Sequence, residues 1–269
     1  MQPGDNPKGT TTAPAVFISH GSPMVAMERG PFQDALAAFG RRIRPNAIVA
    51  ISAHWSSSTS VSISTSAQYE TIHDFGGFPR ALYELTYSPP GSPKLAQRIA
   101  GLLNSAGWKS ETTSTRGLDH GVWIPLRLMY PEANIPVVQL SVPVDLTPQQ
   151  LYDLGKALGP LRSENIMIFG SGGIVHNLRM FRGGPLDQPV ESWVKEFDDW
   201  FKAKLEQHKI ADLIRYQELA PHADLAVPTF EHFAPVFIVL GAAAGSNQVE
   251  WIFEGFQYGA LSMRSLAIA

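Results

Sequence analysis

With no cysteine anywhere, this sequence has no thiolate to offer a metal or a substrate, and its eight histidines are the nitrogen donors that remain. Three of them stand in the same kind of place. His20 follows the apolar run Val16-Phe17-Ile18-Ser19, and His54 follows Ile48-Val49-Ala50-Ile51-Ser52-Ala53. His176 follows Ile166-Met167-Ile168-Phe169 through the turn Gly170-Ser171-Gly172-Gly173. Short apolar runs of this kind read as buried strands of parallel type. In open α/β sheets, ligands bind in the crevice beyond the carboxyl ends of the strands. Three histidines just past three such ends are therefore expected to share one site. Neutral imidazole suits both Zn(II) and Fe(II).

Two further histidines have candidate roles. His120 lies in Asp119-His120-Gly121-Val122-Trp123, ahead of an apolar stretch expected to be helical; proton transfer by His120 competes with simple helix capping by Asp119. His232 lies in Thr229-Phe230-Glu231-His232-Phe233, where Glu231 and His232 are each able to bind a hard or borderline ion and a plain surface turn is the alternative. His208 ends a long helix, where a cation suits the dipole. His222 stands in a loop as a candidate pocket residue, and His73-Asp74 opens the segment HDFGGFP, read as loop packing or substrate contact. Other chemistries lack their motifs: there is no H-E-x-x-H, no Walker loop, no dinucleotide fingerprint and no G-x-S-x-G elbow.

The elements that must carry these side chains alternate between strand and helix patterns. Strands are expected at 15–19, 47–52, 137–142 and 166–169, with a fifth candidate at 236–240. Ser92-Pro93 opens a helix with Leu95, Ile99, Leu102, Leu103 and Ala106 on one face and Gly107 as its stop. Thr147-Pro148 opens another, with Gln150 completing a capping box. Gly30-Pro31 starts a shorter one ending at Gly40. The longest helix is expected over 189–208, where Trp193, Phe197, Trp200 and Phe201 fall at core spacing. Residues 56–66 read as an amphipathic strand at an edge, and 257–268 as a strand closing the sheet. This pattern predicts one α/β domain over 14–269, with a central, mostly parallel (mixed) sheet flanked by helices and the metal site at the carboxyl ends of the strands. Residues 1–13 read as a loose tail.

Composition narrows the partners. Of 269 residues, 44% are apolar and 17% charged, which suits a folded globular chain. A net charge of −3 gives no support for nucleic-acid binding, which usually shows a basic face. The longest apolar stretch, 235–244, is shorter than the roughly 20 residues a bilayer demands, so no membrane partner is expected and the default location is cytoplasmic.

These segments together resemble the class III extradiol ring-cleavage dioxygenases, specifically the bacterial and plant 4,5-DOPA dioxygenase-like branch. The matching pieces are PAVFISHGSPM (14–24), ISAHW (51–55), HDFGGFPRALYELTYSPPGSP (73–93), LDHGVWIPL (118–126), PVVQLSV (136–142), FGSGGIVHNL (169–178) and PTFEHFAPVFIVLGAA (228–243). They run in order through almost the whole chain. The resemblance implies a non-haem metal near the strand ends, with His20 and His54 as ligands and a third from the segment holding His232. It places His176 either as a fourth ligand or as a base, and His120 near the oxygen or substrate. More distant relatives, such as protocatechuate 4,5-dioxygenase, complete the ligand set with Glu, a role Glu231 would take here; the DOPA-like branch points to His232. Plant pigment-forming members differ from this chain after His176, where Asn177-Leu178-Arg179-Met180 stands.

The chemistry so implied is insertion of O2 into a catechol-type ring, DOPA-like or another aromatic diol, to give a ring-opened semialdehyde. Fe(II) is the ion expected for activity, and Zn(II) is expected to occupy the same donors on purification. His176 or His120 would take a diol proton and later return one. A zinc-dependent hydrolase, a non-catalytic metal-binding protein on the same fold, and an aminophenol substrate are the rival readings.

Overall fold

A computed structural model describes residues 12–180 and 184–269. Ala15–Ser19 (β1), Ala47–Ser57 (β2), Val61–Ser64 (β3), Ser110–Thr113 (β4), Val137–Pro143 (β5), Ile166–Gly172 (β6) and Val249–Phe253 (β7) join a later strand, Ser265–Ile268, in one eight-stranded sheet. Phe256–Gln257 (β8) and Leu261–Ser262 (β9) form a small separate ribbon, which makes Ser265–Ile268 β10. The sheet order is β4-β3-β5-β2-β6-β1-β10-β7. Neighbours from β5 through β2 and β6 to β1 run parallel, as do β3 and β4, whereas β3/β5, β1/β10 and β10/β7 are antiparallel. The sheet is thus mixed, with a parallel centre.

That centre follows from composition. β1 and β6 are buried along their whole length, and such strands carry near-continuous apolar runs because both faces are covered. Side chains alternate between two cores. Ala15, Phe17, Val49 and Ile51 face the helices Pro93–Ser105, Pro148–Leu158, Ser192–Glu206 and Ala234–Ala242. Val16, Ile18, Ile48 and Ala50 face Pro31–Arg42 and His120–Met129. In chain order these six helices are α1 (Pro31–Arg42), α2 (Pro93–Ser105), α3 (His120–Met129), α4 (Pro148–Leu158), α5 (Ser192–Glu206) and α6 (Ala234–Ala242).

Capping chemistry sets several boundaries. Ser92 accepts from the Leu95 N–H at the start of α2, whose stripe buries Leu95, Ile99 and Leu103 while Ala106 stays exposed. The capping box of α4 is present: Thr147 Oγ1 accepts from Gln150 N–H, and the Gln150 side chain accepts from Thr147 N–H at 2.9 Å. Such caps contribute about 1 kcal/mol. In α5 the residues Trp193, Val194, Phe197, Phe201 and Leu205 are buried core.

The structure corrects several expectations. The run 236–240 is helix α6, with every one of its nine residues buried. A run that is apolar on all sides has no period to read, so strand and buried helix look alike in sequence. Strand β2 continues to Ser57, β3 is screened from the sheet edge by β4, and α1 runs past Gly40 to Arg42. The closing strand is shorter than 257–268 and lies between β1 and β7. Of the tail 1–13, residues 1–11 lie outside the described residues; Ala13 is buried, with its carbonyl accepting from Arg162 Nε at 2.8 Å. The same guanidinium, 5% exposed, reaches the carbonyls of Ala242 and Ile268. Among the described residues no helix is long and apolar enough to cross a membrane.

Candidate metal centre

Local backbone geometry aims each histidine. His20 leaves the end of β1 with its N–H donating to Gly172 carbonyl at 3.1 Å. His54 lies inside β2 rather than past its end. Ile51 pairs with Leu140 and Ser56 with Val142, so β2 spends five steps where β5 spends two. Such a bulge re-aims the side chains within it. Gly121 is what lets the first turn of α3 close over that ring: a Cβ there would sit 2.6 Å from Ser52 Oγ and 3.1 Å from the His54 ring. His232 stands just before α6, and its carbonyl accepts from Gly173 N–H at 2.9 Å. A Cβ on Gly172 would fall 2.0 Å from that same carbonyl, so only glycine permits the approach.

The ring nitrogens have assignable roles. A neutral imidazole has one N–H and one lone pair. Ser171 Oγ donates to Gly121 carbonyl, so at 2.8 Å it accepts from His20 Nδ1–H. His54 Nδ1 faces Asp74 Oδ2 at 3.5 Å, and His232 Nδ1 faces Glu231 Oε1 at 3.2 Å. His20 and His232 therefore keep Nε2 as the lone-pair nitrogen, and the Asp74 carboxylate behind His54 Nδ1 favours the same form there. His20 Nε2 and His54 Nε2 stand 3.1 Å apart, and His232 Nε2 is buried with no hydrogen-bond partner. One ligating nitrogen from each of the three falls within 4.8 Å of the others. Bare lone pairs crowded together repel one another, and a cation among them removes the conflict; this donor set fits a metal ion.

The electrostatics agree. Burial, then the neighbouring histidines, hold His20 far below the usual imidazole range. His54 is lowered to about 2, by burial and by His120 and His232. His176 is lowered to about 3, by burial and by His232. These rings are neutral near pH 7, the form a metal binds. Glu231 is lowered to about 2, chiefly by its hydrogen bond with His232. For Asp74, burial pushes upward, but hydrogen bonds and charge from His120 outweigh it and bring the group to about 2.

His176 and His120 flank the three. His176 stacks on His232, with ring centroids 3.6 Å apart and planes 6° from parallel. His120 opens α3, packs 4.0 Å from the His54 ring centroid, and directs Nδ1 at Asp74 Oδ1, 3.0 Å away. Asp119 does not cap this helix with its side chain. Its carboxylate takes Ser52 Oγ–H and Gln139 Nε2–H, each at 2.6 Å, and Asp74 receives the His120 N–H instead.

All five histidines line one cavity of about 450 Å³, walled by Phe75, Phe78, Leu178 and Leu261. Three histidines do not reach it. His73 Nε2–H donates to Leu85 carbonyl, His208 follows α5 with a φ of 55°, and His222 pairs with Glu196 on the surface. Asp74, named in sequence only within a segment read as loop packing or substrate contact, lines the cavity, as does Tyr258, which sequence reasoning passed over. The HDFGGFP segment was a signal for the first; nothing in sequence marked the second.

Comparison with known proteins gives the same picture. A family model described as the catalytic LigB subunit of aromatic ring-opening dioxygenase matches residues 14–268. The chain is similar to a protein of Beta vulgaris named 4,5-DOPA dioxygenase extradiol, 42% identical, with 93% of this chain and 94% of that one covered. It is also similar to an Escherichia coli K12 protein of the same name, 38% identical over 96% of each. Among solved structures, an uncharacterized protein from Escherichia coli K12 superposes with a TM-score of 0.81 at 34% identity, covering 96% of this chain and all of that one. These likenesses do not favour the hydrolytic or non-catalytic readings. The chain belongs to the LigB family of aromatic ring-opening dioxygenases and is an extradiol ring-cleaving enzyme.

Proposed function

We propose that the chain opens catechol-type diols beside their two hydroxyls, with Fe(II) held by His20, His54 and His232. The observation that carries this reading is that His20, His54 and His232, all lining the cavity, each bring a ligating nitrogen within 4.8 Å of the others. Bound there, Fe(II) would supply the redox partner that triplet O2 requires and open positions for diol and dioxygen. The same imidazoles accept Zn(II), which lacks that redox step, so zinc in purified protein would mark the site without reporting its activity.

The remaining residues handle protons and exclude water. His176 lies parallel to His232, so its in-plane lone pairs run beside those of His232 and do not meet them. An ion bonded at about 2 Å to one ring is out of reach of the other. That geometry supports His176 as a base that takes a proton from one diol hydroxyl, and not as a fourth ligand. His120 has Nδ1–H engaged by Asp74, which leaves the Nε2 lone pair to accept a proton from the second diol hydroxyl and to return that same proton as the ring opens. Phe75 and Phe78, edge to face with centroids 5.5 Å apart, give the aromatic substrate an apolar wall.

The test is to load the metal-free protein anaerobically with Fe(II) and measure oxygen uptake across a panel of diols and 2-aminophenol. DOPA heads the panel because it is named for the relatives. Uptake matched by the absorbance of a ring-opened semialdehyde is the expected result. Absence of uptake with every diol overturns the proposal.

A further inference from the structure

Asp74 comes from an irregular segment between β3 and α2, yet its carboxylate touches two histidines given different tasks above. Oδ1 accepts the His120 backbone N–H at 2.9 Å and lies 3.0 Å from His120 Nδ1. Oδ2 lies 3.5 Å from His54 Nδ1. The two rings sit 4.0 Å apart, centroid to centroid, with the carboxylate serving both. We infer that Asp74 is a positioning residue: it holds both imidazoles in the Nδ1–H form, so that His54 presents Nε2 to the metal and His120 presents Nε2 to the substrate.

The argument is one of proton inventory. An ionised carboxylate only accepts hydrogen bonds, and a neutral imidazole has a single N–H to place on one nitrogen or the other. An acceptor behind Nδ1 decides that choice and leaves the lone pair at the front. Rotation of the carboxylate would swap its oxygens, but the His120 backbone N–H is fixed by the first turn of α3 and always demands an acceptor. Each oxygen thus has its own client: Oδ1 serves α3 and His120, and Oδ2 serves His54. The structure thereby links the ligand and the proton carrier through one side chain lying 20 positions after His54 and 46 before His120 (74 − 54; 120 − 74).

This division of labour makes Asp74→Asn an unusually specific probe. The His120 N–H keeps an oxygen in the Oδ1 position, which puts the amide nitrogen in place of Oδ2. An NH2 group facing His54 Nδ1 is a donor against a donor. His54 answers by moving its proton to Nε2, which blocks the metal-facing nitrogen, while His120 keeps its acceptor. Asp74→Ala removes both acceptors and frees both rings.

The inference rests on the proposed ligand role of His54, and the experiment separates the two. Long-range proton–nitrogen correlation NMR on the full chain, metal-free and isotope-labelled at histidine, reads the tautomers directly. We expect His54 alone to change in Asp74→Asn and both rings to change in Asp74→Ala. Titration with Co(II) alone, followed by its visible absorption, should show affinity lowered about 10- to 100-fold in Asp74→Asn. Unchanged tautomers in the isosteric Asn variant, or Co(II) affinity equal to wild type, overturns the assignment. Wild-type protein that binds no Co(II) overturns the metal-centre reading instead, and the tautomers still decide the role of Asp74.

Discussion

His20 and His54 come off the central parallel strands, whereas His176 and His232 come off loops, and the two pairs are held in different ways. Each strand-borne ring is steered from behind, by Ser171 or Asp74 at Nδ1, and the two front nitrogens stand 3.1 Å apart. The loop-borne rings stack face to face, nearly parallel at 6°, and His232 also has an acceptor, Glu231, behind its Nδ1. An acceptor at the back of a ring favours a proton on that side and so sets where the lone pair points. Stacking fixes only the plane, and two rings in parallel planes cannot both direct lone pairs at one ion. The comparison teaches why one loop histidine joins the strand pair around a cation while its stacked neighbour is left for proton transfer.

The largest effects test that division. His54→Ala removes a ligand and should lower metal content well beyond the about 10- to 100-fold affinity loss typical of an outer hydrogen-bond partner. His176→Phe keeps a flat ring against His232; it should retain metal and lose about 100- to 10,000-fold in turnover. Elemental analysis alongside oxygen uptake separates the two. Equal metal loss in both variants would erase the distinction and make His176 a fourth ligand.

A middle-sized effect sharpens the contrast between steering groups. Ser171→Ala strands His20 Nδ1–H in a fully buried place and should weaken Co(II) binding about 10-fold or more. Glu231→Gln should cost less, because that carboxylate is 34% exposed and water can replace it. The opposite order, read from the same titration, would mean that the loop side is the more tightly specified.

The smallest effect is on acid stability. His20, His54 and His176 all have folded-state values below the ordinary 6.5. Above that value both folded and unfolded chains carry neutral rings, so the stabilisation is intact. As pH falls through it, only the unfolded chain binds the protons, and stability drops by up to about 1.4 kcal/mol per pH unit for each site. Asp74 and Glu231, held near 2, act in the same direction but only below the ordinary carboxylate range. Urea unfolding of the metal-free protein at pH about 7 and about 5 therefore reads the histidines, and His176→Phe should shrink the difference. No difference between the two would contradict the neutral cluster.

The fold and the site were legible in sequence to different depths. His20, His54 and His176 announced themselves because each follows an apolar run, and a strand end in a parallel sheet faces the crevice. The bulge around His54 did not, since register depends on β5, a partner far away in the chain. What Asp74 touches was hidden for a similar reason. Its clients are supplied by β2 and α3, and its own segment has neither helical nor strand period. The misreading of 236–240 has a simpler cause: α6 is wrapped by protein on every side, which removes the polar face that marks a helix.

The position of β10 bears on how the chain is made. Translation delivers β1 well before β10, yet one flank of β1 is completed only by Ser265–Ile268, and Ile268 carbonyl is also where Arg162 anchors. Until then β1 has an open row of backbone donors and acceptors on that side, the kind of edge that invites pairing with another chain. On the ribosome, the strand that presents His20 waits for β10, which begins 246 positions after Ser19 (265 − 19), so that edge stays open until β10 has emerged.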